Sequence, residues 1–257
     1  MVKNSRSSPE SEASSKSKFD SLIRIFRISI ERATKECNSE SEKLRVLSVD
    51  TVHVFSKLER SEKFRISLMD VRIFELSLLM AHILYFSLTG LYRNAFNNIR
   101  YILESAVQST YIDSKHSNSG LRTRIEILKE IEDKRDYRAV NLIGALEIDH
   151  KDLLKREYKK LSQTIHPSHR SIIETLDFPQ KEPTEVVAPV SCKEISEVFE
   201  SMKIVLDMVL FLHVSCAPKT RKEQFEKNPD LIDYCKKYNL GLLSKILKIK
   251  TRGKENG

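Results

Sequence analysis

Glycine and proline are scarce in this chain, with 6 glycines and 7 prolines among 257 residues. A many-stranded sandwich or barrel needs frequent turns, and these two residue types supply most of them. Apolar residues instead recur at intervals of three and four over long stretches, which is the period of a helix buried on one side. No βαβ pattern and no internal repeat is visible. The sequence therefore predicts an all-α fold, a helical bundle of about eight to ten helices.

Composition divides the chain into three parts. Residues 1–17 are rich in serine and nearly free of apolar side chains, so they are predicted to form a disordered tail. Residues 18–217 carry the helical patterns of the bundle, and residues 218–257 form a basic helical extension. Most of the formal net charge of +8 lies in that extension. Attraction to an anionic partner is therefore concentrated near the ends of the chain.

The end of the extension alternates leucine and isoleucine with four cations, Lys245, Lys248, Lys250 and Arg252. In one interpretation, the apolar side of this segment packs on the bundle and the cations are exposed to water. A second assigns the cations to RNA or DNA phosphates, and a third to an anionic membrane surface.

The four cysteines are scattered, and none belongs to a C-x-x-C pair; they are Cys37, Cys192, Cys216 and Cys235. This spacing argues against a zinc knuckle and against a dithiol redox motif. The first 18 residues lack the apolar run of a secretory signal. We therefore expect four reduced cysteines and a cytoplasmic protein.

Residues 75–93 form an apolar segment in which only the first and the last residue carry a formal charge. The segment is slightly short for a bilayer and contains polar side chains, including His82. A helix at the centre of the bundle explains the pattern better, so no transmembrane segment is predicted. The chain also lacks the G-x-S-x-G, P-loop, G-x-G-x-x-G and H-E-x-x-H motifs, so no cofactor is predicted.

A polar stripe runs along the helix predicted for residues 90–113. Its members follow one another at intervals of three or four residues: Arg93, Asn97, Arg100, Glu104, Gln108 and Tyr111. One interpretation is a solvated face with an ordinary ion pair between Arg100 and Glu104. The other is a buried or cleft-lining network in which Glu104 orients a guanidinium.

A second polar group lies in the stretch YKKLSQTIHPSHR, where Tyr158, Ser162 and His166 share one helical face. Pro167 ends the helix directly after His166. A histidine in the last turn is stabilised by the helix dipole, which gives a purely structural interpretation. The functional alternative makes His166 a general base, with Ser162 or Tyr158 beside it. His166 and His169 lack a nearby carboxylate cluster, so no metal site is predicted.

The segments GLYRNAFNNIRYILESAVQSTYID and YKKLSQTIHPS together resemble the HEPN superfamily, in particular its AbiV-like and related helical members, over about residues 60–215. The resemblance implies a homodimeric protein that acts on or binds RNA in a defence or toxin–antitoxin system. Members that cleave RNA without a metal ion carry an arginine that is separated from a histidine by four to six residues. Here Lys160 has that separation from His166, with five residues between them, so Arg93 or Arg100 would have to supply the guanidinium.

Two functional hypotheses follow. The first is an RNA-directed protein, either a binder or a metal-independent endoribonuclease, and the second is a non-catalytic helical module that binds an antitoxin or another protein. The first hypothesis assigns catalysis to His166, Arg100, Glu104, Ser162 and Tyr158. It assigns RNA contacts to Arg93, Asn97, Lys160, His169 and Arg170, together with the four cations of the extension.

Overall fold

The computed structural model describes residues 9–58, 67–133, 139–165 and 190–249. These residues form eleven helices and contain no strand, which confirms the all-α prediction. The helices are α1 Pro9–Glu36, α2 Asn38–Leu58, α3 Leu68–Leu88, α4 Tyr92–Lys115, α5 Leu121–Asp133, α6 Ala139–Ala145, α7 Lys151–Ile165, α8 Cys192–Ser215, α9 Lys219–Glu226, α10 Pro229–Tyr238 and α11 Gly241–Ile246.

Helix α8 is the central element of the bundle. Every side chain from Met208 to Val214 is buried, so this half of α8 is covered on all sides. The helix packs against α2, α3, α4 and α11. Its N-cap is Ser191, whose hydroxyl accepts a hydrogen bond from the backbone N–H of Glu194.

Helix α3 is not the central helix that its apolar composition led us to expect. It buries one face, which includes Leu76, Met80 and Ile83, and leaves large apolar side chains exposed on the other. By length and composition alone, it is the one helix of the described residues that could cross a membrane. Because α3 packs against α2, α4 and α8, its place in the bundle agrees with the prediction of no transmembrane segment.

The ends of α3 show why it begins and stops where it does. Ser67 and Asp70 form a reciprocal capping box at its start. Gly90, just after the helix, has φ of 77°, a left-handed conformation that glycine adopts without strain. The first helix begins at Pro9, inside the segment predicted as a disordered tail. Residues 1–8 of the predicted tail lie outside the described residues.

The C-terminal extension docks on the bundle. Leu242, Leu243 and Leu247 are buried, whereas Lys245 and Lys248 are exposed, as the docking interpretation predicted. Asp207 of α8 fixes the start of α11 by accepting hydrogen bonds from the backbone N–H groups of Leu242 (2.9 Å) and Leu243 (2.8 Å). A carboxylate at a helix N-terminus satisfies donors that the helix itself leaves unpaired.

The prediction of four reduced cysteines is wrong for two of them. Cys37, at the junction of α1 and α2, forms a disulfide with Cys192 at the start of α8. The two positions are 155 residues apart in sequence, and only the packing of the first helices on α8 brings them within bonding distance. Cys216 and Cys235 are free thiols. The cytoplasmic location stays a prediction.

Candidate functional site at the contact of α4 and α7

The polar stripe of α4 passes from solvent into the bundle along its length. Arg93 and Asn97 are exposed, whereas the side chains of Arg100 and Glu104 keep 31% and 30% of their accessible surface. The opposite face of α4 is buried because it meets α3 and α8. Neither interpretation of the stripe holds along its whole length, because one end is solvated and the other is half-buried.

Two of the predicted site residues donate hydrogen bonds to one carboxylate oxygen of a third. Arg100 Nε donates to Glu104 Oε1 at 2.7 Å, and Tyr158 Oη donates to the same oxygen at 2.7 Å. Tyr158 lies on α7, 54 residues further along the chain. The α4 stripe is therefore joined to α7 by a charge-assisted network that we call the α4–α7 cluster: Arg100, Glu104 and Tyr158.

The environment of the α4–α7 cluster favours a protonated phenol and a charged guanidinium. Burial, reinforced by the hydrogen bond to Glu104, raises the pKa of Tyr158 to about 12. The hydrogen bond from Arg100 to Glu104 raises the pKa of the guanidinium. At neutral pH Tyr158 is thus a hydrogen-bond donor and cannot act as a general base.

Helix α7 presents Tyr158 to α4 because its apolar residues lie on one face. Leu154, Tyr158 and Leu161 are buried at intervals of four and three residues. Ser162, one turn beyond Tyr158, is half-buried. The helix ends at Ile165, so the chain continues into His166 directly after the turn that carries Ser162.

Several predicted residues cannot be placed. His166, His169, Arg170, Lys250 and Arg252 lie outside the described residues, and so does the side chain of Lys160. The proposed contact between His166 and the α4–α7 cluster therefore stays a prediction. Lys245 does have a position: it lines a cleft of about 210 Å³ together with Lys222 and His150.

A second polar cluster, with no counterpart among the sequence predictions, lies at the N-terminal end of α3. Arg221 of α9 forms a two-pronged ion pair with Asp70. Arg124 of α5 donates to Asp113 at 2.7 Å, and Asp113 also accepts from the backbone N–H of Leu68 at 2.9 Å. Both guanidinium groups are largely buried, which is rare for arginine unless a carboxylate neutralises it.

A cavity of about 160 Å³ lies between these ion pairs, and His213 and Thr110 line it. His213 Nε2 and Thr110 Oγ1 are buried without a hydrogen-bond partner. Nε2 lies 3.8 Å from Asp70 Oδ1, beyond hydrogen-bond length. Burial, aided by the charge of Arg221, lowers the pKa of His213 to about 4, so its imidazole is neutral at neutral pH.

This α3 cavity can accept a small uncharged polar group but offers no free charge. Its two guanidinium groups are already matched by two carboxylates. In sequence, the only signal was a histidine interrupting the apolar run of α8. The pairing of Asp70 with Arg221 spans 151 residues and leaves no local pattern.

Over residues 9–58, 67–133, 139–165 and 190–249, no group of three or more histidine, cysteine or acidic side chains is arranged to hold a metal ion. In comparisons with family models, curated proteins and solved structures, nothing matches this chain.

Proposed function

We propose that the protein is RNA-directed and that the α4–α7 cluster is the centre of its RNA site. The observation that carries the proposal is the shared carboxylate oxygen. Tyr158 donates a hydrogen bond to Glu104 and holds it in place, and Glu104 in turn orients the guanidinium of Arg100. A guanidinium held in this way loses little conformational entropy when it binds, and its planar fork matches a phosphate. The partial exposure of Arg100 leaves it accessible from solvent.

The surroundings of the cluster supply further positive charge. Arg93 is exposed two turns before Arg100 on the same face of α4, and Asn97 lies between them. Helix α7 has more basic than acidic residues, and Arg156 and Lys159 are exposed on it. A polyanion that binds along α4 would meet Arg93 and Arg100, and each of these cations makes its binding more sensitive to salt.

If the protein cleaves RNA, Tyr158 is not the general base. Tyr158 keeps its proton up to a pH of about 12, so it acts as a positioning residue for Glu104 and, through Glu104, for Arg100. We assign the general base to His166, which follows the last residue of α7 in sequence.

The test measures binding and cleavage of labelled single-stranded RNA in EDTA. We expect Arg100→Ala to weaken binding roughly 10-fold or more, about 1.4 kcal/mol, and to make the salt dependence less steep. The matched control is Arg122→Ala on α5, because Arg122 is 96% exposed and 3.7 Å from a single partner, Glu126. Equal RNA affinities for the parent chain, Arg100→Ala and Arg122→Ala would contradict the proposal.

Cleavage is tested separately with His166→Ala and Tyr158→Phe. Loss of cleavage in His166→Ala with retained RNA binding assigns the base to His166. Binding without cleavage by the parent chain makes the protein an RNA binder. If the parent chain shows neither, the RNA hypothesis is wrong and the interaction-module hypothesis stands.

The interaction-module hypothesis has its own support in the exposed apolar face of α3. Val71, Phe74 and Leu78 are 46%, 61% and 58% exposed, and they are spaced as one helical face. An apolar surface of this kind is typical of a protein-binding site.

A further inference from the structure

The α3 cavity is lined by exposed side chains as well as by buried ones. Ser117, which follows α4, and Pro218, which precedes α9, are exposed. Thr110 of α4 and His213 of α8 keep only 1% and 4% of their accessible surface. The cavity therefore connects the solvent with side chains inside the bundle, and a small molecule can enter it from solution.

Two polar atoms of the cavity lining, Thr110 Oγ1 and His213 Nε2, are buried and have no hydrogen-bond partner among the described residues. Buried polar atoms are nearly always paired in native proteins, because an unpaired one destabilises the fold. The two atoms belong to different helices, α4 and α8, but line the same cavity. This arrangement suits a molecule in the cavity that pairs with both atoms.

The charges around the α3 cavity exclude a charged ligand. Asp70 neutralises the guanidinium of Arg221. Asp113 neutralises the guanidinium of Arg124 in the same way. The imidazole of His213 is neutral at neutral pH, because burial lowers its pKa to about 4. A phosphate, a carboxylate or an ammonium group would therefore be buried in the cavity without a counter-charge, which is strongly unfavourable.

The volume and the apolar wall of the α3 cavity define the ligand further. Its volume of about 160 Å³ is close to that of a protein cavity that holds benzene, so a ligand of roughly six to eight non-hydrogen atoms fits. Met69 of α3 and Leu212 of α8 are buried and line the cavity. A ligand that fills it therefore needs an apolar part beside its polar groups.

We propose that the α3 cavity binds a small uncharged molecule that carries a hydrogen-bond donor and an acceptor on one edge, as a cyclic amide does. The hydroxyl of Thr110 donates to the carbonyl oxygen of the amide, and His213 Nε2 accepts from its N–H. The apolar part of the ring packs on Met69 and Leu212. The α3 cavity shares no residue with the α4–α7 cluster, so this proposal stands or fails separately from the RNA site.

An NMR titration of the full chain with δ-valerolactam, a cyclic amide, tests the proposal. We expect the imidazole resonances of His213 to shift with a dissociation constant of roughly 1 mM or below, whereas those of His53, exposed on α2, stay in place. Cyclohexanone has a ring of the same size and a carbonyl but no N–H, so it should bind roughly 10-fold or more weakly. If δ-valerolactam shifts no His213 resonance at about 10 mM, water alone occupies the cavity and the proposal is overturned. Equal affinities for the two rings also overturn it.

Thr110→Val keeps the shape of the side chain and removes the hydroxyl. We expect it to weaken δ-valerolactam binding roughly 10-fold or more, while the urea midpoint stays the same or rises because an unpaired buried hydroxyl is lost. Ser109→Ala is the matched control: Ser109 is the preceding residue of α4 and is likewise buried without a partner among the described residues, but it does not line the cavity. This control should bind δ-valerolactam like the parent chain.

Two results for Thr110→Val overturn the proposal. The first is δ-valerolactam binding equal to that of the parent chain. The second is a clearly lower urea midpoint, which would show that the hydroxyl is paired within the protein rather than with a ligand. RNA binding by Thr110→Val should equal that of the parent chain, so a failure of the RNA site is seen separately.

Discussion

Tyr158 and Arg100 donate to the same oxygen of Glu104, so one carboxylate joins α7 to α4. Tyr158 is 7% exposed, and its hydroxyl is paired with a charge. Tyr158→Phe keeps the ring but removes this bond. We expect it to lower the free energy of unfolding by about 1 to 2 kcal/mol, measured by urea denaturation. Tyr111→Phe on α4, which removes a hydroxyl from a half-buried position of the stripe, is the control and should have a smaller effect.

The same bond predicts a dependence of stability on alkaline pH. The native pKa of Tyr158, about 12, is above the ordinary value of 10.0, so the native protein holds this proton more tightly than the unfolded chain. The contribution of Tyr158 to stability is thus complete below pH 10 and is lost as pH rises towards 12. Between these values, Tyr158→Phe should lose stability less steeply than the parent chain. Parallel pH profiles would show that the phenol is not perturbed.

His213 predicts a separate loss of stability in acid. Its native pKa of about 4 is below the ordinary 6.5, so the unfolded chain takes up this proton first. The free energy of unfolding should fall by up to roughly 3 kcal/mol as pH falls from 6.5 towards 4. His213→Gln should remove this part of the slope, whereas His53→Gln, at an exposed position, should leave it unchanged. An NMR titration in which His213 protonates near 6.5 would contradict the prediction.

The buried ion pair of Asp113 and Arg124 should contribute strongly to the free energy of unfolding. Asp113 caps the first turn of α3 and neutralises Arg124, whose side chain is 5% exposed. Asp113→Asn would leave that guanidinium buried without a counter-charge, so we expect a loss of about 3 to 5 kcal/mol in the free energy of unfolding. Glu147→Gln is the control, because Glu147 is 87% exposed and its ion pair is with Lys115. This substitution should lower the free energy of unfolding by well under about 1 kcal/mol. Similar effects for both variants would mean that the Asp113 pair is solvated.

Because of the disulfide, we expect the thermal stability of the protein to depend on reductant. Closing a loop of 155 residues between Cys37 and Cys192 restricts the unfolded chain, and chain entropy sets an upper limit of about 5 kcal/mol for its contribution. Dithiothreitol should therefore lower the Tm of the parent chain. Cys37→Ser should lower the Tm by a similar amount, and dithiothreitol should not lower it further. Cys216→Ser leaves the disulfide in place and should retain the response to dithiothreitol. A parent chain with the same Tm in both conditions would contradict the prediction.

The sequence by itself determined the all-α class and the apolar face of α11, which the structure docks on the bundle. These features depend on residues within one or two helical turns, so their patterns can be seen along the chain. The same periodicity placed Arg100 and Glu104 on one face of α4, and Tyr158 and Ser162 on one face of α7. It could not show that Arg100 and Tyr158 share one carboxylate oxygen of Glu104, because that depends on how α4 and α7 pack.

Only the tertiary structure decided which apolar face is covered. The sequence makes α3 the natural central helix, yet α8 occupies the centre and Phe74 is left in solvent. Helical spacing shows that a face is apolar but not what it packs against. The pairing of Asp70 with Arg221, the cavity beside His213 and the disulfide of Cys37 join helices far apart in the chain. Such contacts depend on the packing of whole helices and leave no periodic trace in the sequence.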